Sequence, residues 1–375
     1  MDSRRLHIAF CTDGIFPLNV GGIQRHSRLL IEELARKYDL EISVIHPHTD
    51  KLVFNNPAIK EYDIDIKFNS KVYALNCARY SKTVLEIVEK INPDIIYAQG
   101  LAVYSGIKKV GYKTIINPHG LEPYQGLTLR DKISTYPLRI YQNKIFQYAA
   151  KIISLGGGLS DVLVTQARVP EEKIITIPNA VAHRPYASKD YSVPVMRFLF
   201  VGRFAHNKGI DVLLKVISKL NKNGYQHKCE FNLVGKGPLY ENLKSAYALP
   251  NVIYHGFADD LLLEKLYREC HIFVFPTLFE GMPTVVLEAM IHSMPIIVSD
   301  VGATSTQVDK SNGYLIQKNN QDQLYRSIVD FINLPLSKRA LMSQASYNKV
   351  AGSYTWEIVA RQHYDFFRLF HQSIA

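Results

Sequence analysis

Cysteine is scarce: Cys11, Cys77, Cys229 and Cys270 are the whole complement, and no two form a Cys-x-x-Cys pair. That argues against a disulfide framework or a cysteine-built zinc site and points to core packing, since three of the four lie in or beside apolar segments. No apolar run approaches the roughly 20 residues that a membrane-spanning helix needs, and Leu6–Cys11 has the length of a strand rather than a signal-peptide core. A cytoplasmic chain is therefore expected. No Gly-x-Gly-x-x-Gly follows the first strand, so a dinucleotide is a poor expectation. Recognition-helix, RRM-like and zinc-finger patterns are missing as well, which leaves nucleic acid the least supported partner. Acidic residues are the minority, 34 against 44 Lys and Arg, and the net charge of +10 favours an anionic partner such as a nucleotide or a phospholipid surface.

What is present is a repeated alternation. Strand-length apolar runs at Leu6–Cys11, Ile42–Ile45, Ile64–Phe68, Ile95–Tyr97, Thr114–Ile116, Lys151–Ser154 and Lys173–Asn179 are separated by helix-period segments, and the pattern restarts at Phe198–Val201. It continues through Phe231–Val234, Val252–Tyr254, Ile272–Phe275 and Ile296–Val298. Strands alternating with helices imply parallel sheets covered on both faces, with ligands bound beyond the carboxyl ends of the strands. The length fits two domains. The expected divisions are 1–185, 186–355 and a terminal helix over 356–375, with His183–Pro194, which has two prolines and few apolar residues, as linker.

The most informative stretch runs from Phe273 to Ser299. The strand ends at Pro276, the turn Glu280-Gly281 follows, and Pro283 opens a helix-period segment over Thr284–His292. The free N–H groups at such a helix start attract phosphate. Glu280 and Glu288 flank that anion site, and a carboxylate facing a diphosphate would repel it, so both read as acceptors for hydroxyl groups, as on a hexose and a ribose. Neither is needed to hold a metal.

Glu280 and Glu288 do not stand alone. Val201-Gly202-Arg203 with Lys208-Gly209, Leu233-Val234-Gly235-Lys236-Gly237-Pro238, His255-Gly256-Phe257 and Asn117-Pro118-His119-Gly120 accompany them. In this order the set resembles the retaining glycosyltransferases of family 4 (GT4, group 1), and the resemblance covers almost the whole chain. It implies an α/β, GT-B fold: two Rossmann-like domains with a deep interdomain cleft and a C-terminal helix crossing back to the first. It also implies a hexose passed from a nucleotide-sugar, UDP-linked in first place and GDP-mannose second, to a saccharide or lipid-linked saccharide hydroxyl, in cell-surface polysaccharide synthesis. Catalysis would fall to His119, Glu280, Arg203 and Lys208. The donor would be held by Gly21, Gly22, Gly235, Phe257, Gly281, Met282, Pro283, Thr284 and Glu288, with no metal and no other cofactor. Phe257 is open between a base-proximal role and simple core packing. Where relatives continue Asn-Gly-Val-Asp, this chain reads Asn179-Ala180-Val181-Ala182, so no catalytic weight falls there.

The stretch Tyr124–Lys151 interleaves Arg130, Lys132, Arg139, Lys144 and Lys151 with Leu129, Ile133, Tyr136, Leu138, Ile140 and Tyr141. Two readings stay open: a helix lying on an anionic membrane, and a core-facing helix with a solvated basic face. A nucleotide-sugar epimerase, a pyridoxal-phosphate phosphorylase and a catalytically silent binding protein are the rival classes.

Overall fold

The computed structural model describes residues 5–19, 21–48, 51–66, 73–126 and 129–375. They form two compact units, Met1–Asn179 with Trp356–Ala375, and Ala180–Thr355.

The first unit carries β1 (Leu6–Cys11), α1 (Gly22–Lys37), β2 (Leu40–His46), β3 (Ile59–Asp63), α2 (Tyr73–Ile91), β4 (Ile95–Gln99), α3 (Ile107–Val110) and β5 (Thr114–Asn117). It continues with α4 (Leu129–Tyr148), β6 (Lys151–Ser154), α5 (Gly158–Thr165) and β7 (Ile174–Thr176). The strands make one seven-stranded sheet in the order β3-β2-β1-β4-β5-β6-β7, parallel throughout. The central strands are continuous apolar runs because helices cover both faces; Ile8, Ile42, Ile95, Ile96 and Ile116 are fully buried.

The second unit carries β8 (Met196–Val201), α6 (Ile210–Lys222), β9 (Cys229–Val234), α7 (Tyr240–Ala246), β10 (Val252–Gly256), α8 (Asp260–Glu269) and β11 (Ile272–Phe275). After these come α9 (Thr284–Ile291), β12 (Ile296–Ser299), α10 (Thr304–Gln307), β13 (Gly313–Ile316), α11 (Gln321–Asn333) and α12 (Leu336–Ser353). Its parallel sheet runs β10-β9-β8-β11-β12-β13. In both sheets the order reverses next to the first strand, between β1 and β4 and between β8 and β11, which is where doubly wound sheets open a crevice at their carboxyl ends.

The last helix, α13 (Trp356–Ile374), belongs to the first unit. Tyr364 stacks on Tyr38 at 4.0 Å, Phe367 meets Phe10 and Tyr97 edge-on, and Glu357 pairs with Lys37 at 2.8 Å. All four cysteines are buried.

Three details depart from the sequence reading. The strand expected at Ile64–Phe68, whose residues 67 and 68 lie outside the described residues, is replaced by Ile59–Asp63. That segment looks polar because it is an edge strand and because Glu61 turns inward, accepting the Val53 and Phe54 N–H groups at 2.9–3.0 Å and meeting His46 at 3.1 Å. The expected linker His183–Pro194 is a strap packed on the second unit, and the division between units falls at Asn179/Ala180, not at 185. Arg184 pairs with Glu264 at 2.8 Å, and Lys189 donates to the Tyr267 and Arg268 carbonyls at the end of α8. Tyr191 is buried with its hydroxyl on the His271 carbonyl.

On α4 the core-facing reading does not hold for the apolar stripe. Leu129, Ile133, Tyr136 and Ile140 are more than half exposed at helical spacing, so the apolar stripe faces outward. Arg139 lies over the Tyr124 ring at 4.8 Å and Lys144 over the Tyr104 ring at 4.1 Å, so these two cations are engaged within the unit. The side chains of Arg130 and Lys132 lie outside the described residues. No helix among the described residues is long and apolar enough to cross a membrane.

Candidate active site

In the second unit the sequence-predicted residues gather on loops that leave neighbouring strands at the point where the sheet order reverses. The loop after β8 carries Arg203 and Lys208, the loop after β11 carries Glu280 to Pro283, and β8 and β11 are adjacent. Lys208 Nζ lies 2.5 Å from Glu280 Oε1, with the two side chains 24% and 12% exposed. Thr277 Oγ1 stands 3.0 Å from the same oxygen, and also reaches the carbonyls of Asn207 and Phe279. The sequence reading gave Lys208 to phosphate and Glu280 to sugar; in this structure the two neutralise each other. A short charge-assisted contact, half-buried, fixes both head groups while leaving each with unused hydrogen-bonding capacity. Arg203 is exposed and reaches outward from the same loop.

The Glu280 loop is held from behind. Ala303 N–H donates to the Gly281 carbonyl at 2.8 Å, and Gly302, at φ 58°, sits so close that a Cβ there would stand 2.3 Å from both the Glu280 and Gly281 carbonyl oxygens. Only glycine satisfies both conditions. Met282 is buried beneath the turn at 4% exposure. Pro283 is the N-cap of α9 rather than its first residue, and no side chain among the described residues caps the helix. The N–H groups of Thr284 and Val285 therefore stay available at the positive end of the helix. Glu288, a turn inside α9, accepts a hydrogen bond from the Tyr267 hydroxyl of α8 at 2.9 Å, and the Tyr267 ring stacks on His292 at 5.0 Å.

Gly235, after β9, has φ 129° and a Cβ there would lie 1.9 Å from the Gly202 carbonyl oxygen, so the loops after β8 and β9 touch backbone to backbone. Phe257 is 79% exposed, which removes core packing as its role.

In the first unit Gly21 caps α1 in extended conformation, and a methyl at Gly22 would meet nothing within 4 Å. Local packing therefore does not demand glycine at Gly22. His119 follows β5 and is 8% exposed, with φ 55°. That left-handed conformation costs a non-glycine residue about 1–2 kcal/mol, and such strain gathers at functional positions. Its Nε2 has no partner among the described residues. Burial, and then the nearby His363, lower its pKa to about 3, so the ring is neutral near pH 7. His26 of α1 packs edge-on against it at 5.0 Å and is likewise held neutral, chiefly by burial. His119 can therefore give or take a hydrogen bond but supplies no positive charge.

Thr277, Tyr267, Gly302 and His26 were not singled out as site residues from the sequence. Gly302 had a legible signal, a glycine in the loop after a buried strand; the others are set by partners distant in the chain. Among the described residues no group of three His, Cys, Asp or Glu side chains is placed to hold a metal ion.

The family Glycosyltransferase Family 4 matches residues 20–184, and the family Glycosyl transferases group 1 matches residues 196–333. An uncharacterized glycosyltransferase of Methanocaldococcus jannaschii is 26% identical over 360 residues, covering 90% of this chain and 92% of its own. Sucrose-phosphate synthase of Thermosynechococcus elongatus has a similar structure, with TM-score 0.82 at 17% identity over 98% of this chain and 100% of its own. The Anabaena protein HepE, solved in complex with UDP, aligns at TM-score 0.70 and 15% identity over 97% of this chain and 100% of its own. With both halves of the chain matched, two parallel sheets of the GT-B kind and the carboxylate, cation and helix-end arrangement in place, this chain belongs to the group 1, family 4 glycosyltransferases.

Proposed function

We propose that the protein is a retaining, metal-independent hexosyltransferase. It takes a nucleotide-sugar, UDP-linked before GDP-mannose, and transfers the hexose to a hydroxyl of a saccharide or lipid-linked saccharide during cell-surface polysaccharide synthesis. The observation that carries this reading is the Lys208–Glu280–Thr277 cluster beside the uncapped start of α9. One edge of it offers positive charge to a diphosphate and the other a carboxylate to sugar hydroxyls. The UDP preference is supported by HepE, a protein of the same fold that was solved with UDP. The lipid-linked acceptor, and a place at the cytoplasmic face of a membrane, are supported by the outward apolar stripe of α4.

In the reaction the acceptor oxygen bonds to the anomeric carbon as the bond from that carbon to the diphosphate oxygen breaks. The electron pair leaves with the diphosphate, and the acceptor's proton passes to a leaving phosphate oxygen on the same face, which retains configuration. Arg203, Lys208 and the N–H groups of Thr284 and Val285 stabilise the charge that develops on the phosphate, the work a metal does elsewhere. Donor phosphate draws Lys208 off Glu280, and Glu280 then accepts from a sugar hydroxyl. Glu288, oriented by Tyr267, accepts from the ribose. His119, neutral, hydrogen-bonds a hydroxyl of the transferred sugar.

Calorimetry against UDP, GDP, ADP and their sugars, without metal and then with magnesium, tests the reading when repeated on Glu288→Ala. The expected result is selective metal-free binding of one nucleotide, weakened about tenfold or more by the substitution. Absence of all nucleotide binding would turn the assignment towards a silent binding protein, and turnover without any acceptor, giving an altered sugar, towards an epimerase.

A further inference from the structure

His119 has a backbone conformation that L residues disfavour, φ 55°, so its surroundings must hold it there. A chain of hydrogen bonds does so. Asn117 Oδ1 accepts the His119 backbone N–H at 3.0 Å. Asn117 Nδ2 donates to the Tyr97 hydroxyl oxygen at 2.8 Å. That oxygen lies 3.4 Å from His363 Nε2, and His363 Nδ1 lies 2.9 Å from the Val359 carbonyl oxygen.

The direction of every link is fixed by chemistry. A carbonyl can only accept, so the His363 proton is on Nδ1 and Nε2 presents a lone pair. Tyr97 already receives the Asn117 N–H and therefore sends its own proton to His363. The Asn117 amide cannot flip, because its oxygen faces an N–H and its nitrogen a hydroxyl. Asn117 and Tyr97 are fully buried and His363 is 1% exposed, so water cannot replace a lost member. The ring of His119 is braced separately by His26, which in turn packs on Trp356 of α13 at 5.1 Å.

We propose that Asn117, Tyr97 and His363 form a positioning chain that holds the His119 backbone in its left-handed state and so aims its Nε2, which has no partner among the described residues. This makes α13 part of the active-site scaffold. The inference deepens the role given to His119 under "Proposed function" and rests on it. The three are positioning residues: they act on His119 and do not themselves touch substrate.

The test uses the full chain and the variants Tyr97→Phe, Asn117→Ala, His363→Phe and His363→Gln, with His119→Ala alone and combined with Tyr97→Phe. Hydrogen exchange at the His119 amide reads the positioning directly, and is expected to quicken about tenfold or more in Tyr97→Phe and Asn117→Ala. Turnover is followed as nucleoside diphosphate release from UDP-glucose, UDP-galactose, UDP-N-acetylglucosamine and GDP-mannose, using whichever the unaltered protein consumes. Tyr97→Phe is expected to lower kcat about 10- to 100-fold with donor KM unchanged, and to add nothing to His119→Ala. His363→Gln, which can still present an acceptor to Tyr97, is expected to retain the turnover that His363→Phe loses. Unchanged exchange in folded Tyr97→Phe and Asn117→Ala overturns the chain, even where His119→Ala is inactive. Full turnover in His119→Ala overturns the role of His119 instead, and the exchange measurement then still decides the chain. If Tyr97→Phe does not fold by circular dichroism, the pair of His363 variants decides between the same outcomes: equal exchange and turnover in the two overturns the chain.

Discussion

Replacing Glu280 by Gln separates two effects that the Lys208–Glu280 contact ties together. The side chain keeps its shape and one acceptor but loses its charge. Lys208 Nζ is 2.5 Å from Glu280 Oε1 and both are partly exposed, so the pair is neither a free surface bridge nor a dry one. A diphosphate recruiting Lys208 must displace that carboxylate and then sit near it. At the intermediate dielectric of such a site, removing the neighbouring negative charge favours a bound anion by about 1 kcal/mol, close to fivefold in Kd. Glu280→Gln is therefore expected to bind UDP about fivefold more tightly, or GDP if that is the nucleotide the protein takes. Turnover moves the other way. A hydrogen bond to a charged group contributes about 2–3 kcal/mol, so loss of the carboxylate from the sugar lowers kcat about 30- to 150-fold. Calorimetric titration with the nucleotide and a diphosphate-release assay on the same preparation measure the two arms. Weaker nucleotide binding in Glu280→Gln, with a circular dichroism spectrum like that of the unaltered protein, would refute the competition for Lys208; near-normal turnover would remove Glu280 from the chemistry.

Two further outcomes are expected. Changing Ile133, Tyr136 and Ile140 of α4 together to Ser should abolish flotation with vesicles containing anionic lipid and leave nucleotide binding unchanged; undiminished flotation rejects the stripe as the docking face. Stability should fall on acidification: burial depresses the His363 pKa to about 4 against 6.5 in an exposed chain. From pH 6.5 to 4 the unfolded state gains a proton that the folded state refuses, which removes about 3 kcal/mol through His363 alone. Urea midpoints across that range should drop, and His363→Gln should flatten the slope; an unchanged slope contradicts the buried neutral ring.

The sequence revealed an element wherever a single physical cause shaped it. Ile272–Phe275 is a strand buried on both faces and reads as an unbroken apolar run, and Pro283 announces the helix that follows. Ile59–Asp63 escaped notice because Glu61 faces inward to serve Val53, Phe54 and His46, so its polarity conceals a strand. Gly313–Ile316 is a short edge strand with little alternation to mark it. At the site, glycines, prolines and loop cations were legible because turn geometry and helix ends demand those residue types. Pairing was not: Lys208 and Glu280 are 72 positions apart, Tyr97 and His363 are 266 apart, and no local pattern records such contacts. Lys189 in the strap reads as a solvated linker lysine until the carbonyls at the end of α8 are seen around it.

Trp356–Ala375 completes the unit that begins the chain, and Ala180–Thr355 is made in between. On the ribosome the first sheet therefore emerges without the helix that covers Phe10 and Tyr97, and at about 5–20 residues per second it waits roughly 10 to 40 s for it. During that interval the contacts within Ala180–Thr355 can form, while Phe10 and Tyr97 await the helix that packs on them. The unit whose sheet is made first therefore lacks α13, and with it the cover over Phe10 and Tyr97, until Ala180–Thr355 has been made.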